Sequence, residues 1–189
     1  PGRGTLGVVV GAIHSEKDHA EETLEVSLDR LATLAVEAED DGLRTGPLIQ
    51  TLRRVVRLST CAGWRSRTGI GIDAARALVL HHPGWAAAEA HVQRRAPFLD
   101  TQGLAAVVGA FAQLRCHSGP TVNCLRLRIV VDGQMPHALR PLRGFTPCEL
   151  AGTAWAFATI GGDAAGSDSA CGALVREAAK RPVASLSAR

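Results

Sequence analysis

The chain has 189 residues, of which 46% are hydrophobic and 21% charged. That balance supports a buried core and excludes wholesale disorder, and the length suits one domain or a short array of repeats. No apolar run approaches the roughly 20 residues that a membrane-spanning helix needs. The formal net charge of +3 conceals unlike segments: residues 1–41 carry ten acids against three bases (−7), residues 42–143 carry fourteen Arg against four acids (+10), and residues 144–189 carry four of each.

Leading the chain, Leu6–Ile13 is apolar and reads as a strand or as the last turns of a helix. A helix then opens at Ser15, which with Asp18 has the spacing of a capping box. Ala20, Leu24, Leu28, Leu31, Leu34, Ala35 and Ala38 recur at three and four and define one apolar stripe. Asp40, Asp41 and Gly42 end it, with Gly42 as the C-cap. A second helix is predicted from Pro47 to about Thr60, with Thr45 just ahead and Leu48, Ile49, Leu52, Val55, Val56 and Leu58 as its apolar side. Pro47 suits a first turn, and Arg53, Arg54 and Arg57 have the three-and-four spacing that puts them on a shared face. Residues 61–71, with Gly63, Gly69 and Gly71, read as a loop. Two short helices follow, about Asp73–His82 and Trp85–Arg95, separated by Pro83 and Gly84.

Two later segments resemble each other at an offset of 46 residues. Leu99–Leu114 reads LDTQGLAAVVGAFAQL and Phe145–Ile160 reads FTPCELAGTAWAFATI. Leu104 matches Leu150, Ala105 matches Ala151, and Ala110-Phe111-Ala112 matches Ala156-Phe157-Ala158. In the second copy Thr146 is the expected N-cap, Pro147 occupies N1 and Glu149 at N3 completes a capping box, with Phe145 and Leu150 as a hydrophobic staple. In the first copy Asp100 is the N-cap, Leu99 and Leu104 form the staple, and Gly103 stands where the glutamate would be. Both helices are apolar nearly all round, as expected for helices sandwiched between neighbours, with Trp155 and Phe157 as core residues. A second helix follows each, about Thr121–Val131 and about Ser169–Arg181, with a loop over Asp132–Gly144. Paired helices in tandem predict an all-α fold, a right-handed α-solenoid of stacked antiparallel helix pairs. The divisions would be an acidic helical cap (1–42), basic irregular helical pairs (43–98) and two repeats (99–189), the second starting near 145.

At these residues the chain resembles the octotricopeptide-like repeats of algal and protist organellar proteins, often found beside a RAP domain. Pro147, Leu150, Ala151, Thr153, Trp155, Ala156 and Ala158 match that group's helix-opening motif. The match is best over 145–181 and fair over 99–131, where Val107 and Gly109 stand in place of Thr and Trp. The 46-residue spacing exceeds the group's high thirties, and no RAP domain is visible. The resemblance implies single-stranded RNA binding in organellar RNA processing, stability or translation, in a mitochondrion or chloroplast. The sequence carries no convincing catalytic signature, so neither catalysis nor a small-molecule cofactor is expected.

The charge pattern fits that expectation. Nineteen of the 21 basic residues are Arg, whose planar fork grips phosphates and stacks on bases. A GC-rich coding sequence produces the same bias and leaves Arg merely as solvated surface. The RNA-contact candidates are Arg53, Arg54 and Arg57, then Arg94 and Arg95, then Arg126 and Arg128. RNA binding is favoured if these arginines lie along one continuous concave stripe, and the rival expectation, a protein-interaction scaffold of the same architecture, is favoured if that face proves apolar or broken by acids. Cys61, Cys116, Cys124, Cys148 and Cys171 scatter without a CxxC pair, which predicts reduced, mostly buried thiols in an intracellular setting, neither a disulfide framework nor a zinc site. The start at Pro1 leads us to expect a fragment or processed product, and no signal peptide is visible. Gly69-Ile70-Gly71-Ile72-Asp73-Ala74 fits G-x-G-x-x-A but lacks the buried strand before it that a dinucleotide site requires. His14, Glu16 and His19 lack H-E-x-x-H spacing, His81 and His82 point apart, and Cys116-His117 lacks a catalytic partner.

Overall fold

The computed structural model describes residues 24–37, 45–62, 66, 68–117, 119–136, 141–160 and 169–181. Among these residues every regular element is helical and there is no strand. The helices are α1 (24–37), α2 (Thr45–Thr60), α3 (Ile72–His81), α4 (Pro83–Arg95), α5 (Thr101–Gln113), α6 (Gly119–Gln134), α7 (Pro147–Ile160) and α8 (Ala170–Ala179). Single 3₁₀ turns occupy Ala96–Phe98 and Pro141–Gly144. The expected Leu6–Ile13 element, the Ser15–Asp18 capping box, the Gly42 stop and the His14–His19 group lie outside the described residues.

The helices form where apolar spacing and capping coincide. Leu24, Leu28, Leu31, Leu34 and Ala35 of α1 are all buried, as are Leu48, Ile49, Leu52, Val55 and Val56 of α2. Asp100 caps α5, its Oδ1 accepting the Gly103 N–H at 2.7 Å. The Thr146 box closes in both directions: the Thr146 N–H donates to Glu149 Oε2 at 2.7 Å, and the Glu149 N–H donates to Thr146 Oγ1 at 3.2 Å. The staple partners Phe145 and Leu150 are buried, as are Leu99 and Leu104. Ser169 caps α8 by accepting the Gly172 N–H at 2.9 Å.

Three boundaries differ from expectation. Residues 62, 66 and 68 are helical where a loop was expected; two of the glycines that suggested the loop act only at its end, Gly69 at φ +72° and Gly71 as the N-cap of α3. The break between α3 and α4 is His82 alone. Pro83 and Gly84 belong to the first turn of α4, which tolerates Pro because the first N–H groups of a helix have no internal partner. His82 Nδ1 caps that turn by accepting the Gly84 N–H at 3.1 Å. Finally, α6 runs from Gly119 to Gln134, so Asp132 and Gly133 lie in the helix and not in the loop.

The helices pack in two rows. In the front row α5 lies between α2 and α7; in the back row α6 lies between α4 and α8. α3 touches both α2 and α4, and α7 packs on α8. Phe111, Phe145, Phe157, Leu104, Leu125 and Ile129 are fully buried between the rows. The Trp85 and Phe111 rings join α4 to α5 with centroids 5.2 Å apart and planes tilted by 48°, a favourable aromatic geometry. α5 is buried nearly all round, as expected of a sandwiched helix. α7 is not: Leu150, Thr153, Ala156, Phe157 and Ile160 are buried, whereas Ala151, Gly152, Trp155 and Ala158 are exposed. Trp155, expected in the core, is 54% exposed. No disulfide joins the five cysteines, but only Cys116 is buried; Cys61 and Cys148 are exposed.

Candidate nucleic-acid interface

The basic face of α2 follows from its spacing. Leu48, Leu52, Val55 and Val56 turn inward, which leaves Arg53, Arg54 and Arg57 exposed on the other side. None of these three makes an ion pair among the described residues. α2 stands as a ridge between two grooves. On one side a groove of about 740 Å³ separates it from α1, lined by Arg30, Arg53, Arg54 and Arg57. Four guanidinium groups around one groove create a positive potential that attracts a polyanion.

On the other side a groove of about 670 Å³ crosses the front row from α2 over α5 to α7. Arg53 and Arg57 form its α2 wall and Trp155 lies on its α7 wall. The floor is small: Ala105 and Gly109 of α5 and Gly152 of α7 line it. A Cβ placed on Gly109 or Gly152 would meet nothing within 4 Å. Thr153 also lines the groove; it is 1% exposed and its Oγ1 has no hydrogen-bond partner. The acid in this groove, Glu149, is committed to the Thr146 N–H.

The remaining arginine candidates sit elsewhere. Arg94 and Arg95 are on α4, and Arg126 and Arg128 on α6, all in the back row, so the seven do not form one stripe. Arg95 lies over the Phe98 ring, 5.6 Å from its centroid. Arg126 is half-buried. Arg128 Nε donates to Asp132 Oδ2 at 2.8 Å, one turn along α6. Beside this pair runs an apolar groove of about 440 Å³ lined by Pro97, Leu127, Val131 and Met135, with the exposed Phe98 ring nearby in sequence.

Two residues of the front-row surface were missed by sequence reasoning. Arg30 was absorbed into the acidic segment's net charge. Trp155 was assigned to the core, yet its register held the signal: the stripe Leu150, Thr153, Phe157, Ile160 follows helical spacing and Trp155 falls outside it. Among the described residues no group of three or more His, Cys, Asp or Glu is gathered as a metal site would require. No family model, curated protein or solved structure matches the chain.

Proposed function

We infer that the two rows are a stretch of α-solenoid whose front face binds single-stranded RNA. The observation that carries the reading is the α2 ridge, which presents Arg53, Arg54 and Arg57 to two adjoining grooves, one shared with Arg30 and the other with Trp155. Guanidinium groups and an exposed aromatic ring lining one groove are the combination that single-strand binders use, cations for the backbone and a ring for a base. The resemblance to octotricopeptide-like repeats supports a non-enzymatic role in RNA processing, stability or translation within a mitochondrion or chloroplast. A salt series tests the reading: the chain should bind a labelled single-stranded RNA at low salt, with log affinity falling linearly against log salt. Absence of binding at low salt, or binding indifferent to salt, refutes it.

A second reading, a protein-interaction scaffold, draws on the apolar back-row groove with Leu127 and Val131 exposed at 63% and 49%. Its expected outcome is capture of an amphipathic helix on that face, abolished by Leu127→Glu.

A further inference from the structure

We propose that Trp155 is a base-stacking platform and that its position in the repeat is the one that faces the bound strand. The inference rests on the RNA-binding reading above and deepens it. An exposed tryptophan at the end of a row has an alternative explanation: a following helix could cover it. The first repeat decides against that. Trp155 matches Gly109 at the 46-residue offset, and Gly109 has α7 packed beside its own helix. A Cβ on Gly109 would nevertheless meet nothing within 4 Å, so this register stays open after the next helix has stacked. The neighbouring register behaves in the opposite way: Ala112, which matches the exposed Ala158, is 1% exposed beneath its neighbours. Stacking therefore covers position 112/158 and leaves 109/155 facing the groove.

The rest of the groove suits a single strand crossing the helices. Neighbouring axes in a row lie about 8–10 Å apart, which sets the α2 and α7 axes roughly 16–20 Å apart in two such steps. Trp155 and Arg53/Arg57 thus address different nucleotides, one by its base and the others by their phosphates. The low floor at Gly152, three residues before Trp155 on α7, leaves room for a planar ring beside the indole. A duplex would keep its bases stacked and out of reach, so the site selects unpaired RNA.

The test is fluorescence anisotropy of the full chain with a labelled 12-nucleotide single-stranded RNA and with its duplex, across a salt series. Trp155→Ala is expected to weaken single-strand binding roughly tenfold or more, with the salt slope unchanged, because stacking displaces no counterions. Trp155→Phe should retain most of the affinity. Gly109→Trp should tighten binding several-fold by supplying a second platform at the matched register. Arg53→Gln with Arg57→Gln should instead lower the salt slope by about 0.7 for each phosphate that is no longer neutralised. If the wild-type chain binds RNA but Trp155→Ala binds equally well, or Gly109→Trp gives no gain, the platform is refuted and the RNA-binding reading stands. If the wild-type chain fails to bind at low salt, both fall.

Discussion

Arg128 donates to the carboxylate of Asp132 at 2.8 Å, and the two ends of that bond are unequally wet: the Arg128 side chain is 21% exposed and that of Asp132 only 3%. Removing the arginine strands a buried carboxylate, whereas removing the aspartate leaves a cation that can turn to water. Arg128→Ala is therefore expected to destabilise the fold by about 3 kcal/mol or more, and Asp132→Ala by about half as much, from the net loss of one charge-assisted hydrogen bond. Urea unfolding of both variants measures the asymmetry. An arginine held in this way is a poor candidate for gripping phosphate.

The α7 capping box provides a local test of helix specification. Thr146→Ala removes the acceptor for the Glu149 N–H and should cost about 1 kcal/mol. A double-mutant cycle with Glu149→Ala should reveal coupling, since each side chain serves the other's backbone. Additive losses in urea unfolding would show that the two bonds act independently.

His91 is buried with neither ring nitrogen hydrogen-bonded. Burial, and next the charge of Arg95, hold its pKa below the ordinary value of 6.5. The unfolded chain then takes up a proton at a pH where the folded chain does not. Stability is thus full above about pH 6.5 and is lost as pH falls from there through the depressed folded value. His91→Leu should remove this contribution to the acid-side slope and, by deleting two unpaired polar atoms, should leave stability at pH 7.5 unchanged or higher. Thermal unfolding between pH 5 and 7.5 checks both.

Trp155 and Phe157 stand two positions apart with opposite environments, 54% and 0% exposed. Phe157→Ala should cost about 3–5 kcal/mol by opening a cavity. Trp155→Ala should change stability by about 0.5 kcal/mol or less, as surface substitutions do. Equal losses in urea unfolding would return Trp155 to the core.

The α-helical class, the starts of α5, α7 and α8 and most of the buried stripes were legible in the sequence, because caps and apolar spacing are local codes. Asp100, Thr146 and Ser169 each sit where their chemistry predicts. What escaped was decided by neighbours. α5 and α7 have nearly the same apolar content, yet α5 is enclosed and α7 is not, since enclosure depends on what stacks beside a helix. The arginines divided for the same reason. Arg53 and Arg128 look alike in the chain, but α2 belongs to the front row and α6 to the back, and the residue one turn beyond Arg128 is a buried acid. Glycine likewise misled at Gly84. There the need is proximity, since a Cβ would overlap the carbonyl oxygen of Leu28 on α1.

That close approach has a mechanical meaning. α1 meets the back row at Gly84, and again where Asp29 lies 3.6 Å from His82, while its Arg30 and Leu34 border the groove with α2 in the front row. One helix thus bolts the two rows together at one end. Sliding of the front row over the back is blocked at that end. At the far end α7 packs on α8 and joins the rows again, so the groove between α2 and α7 is carried on a frame tied at both ends.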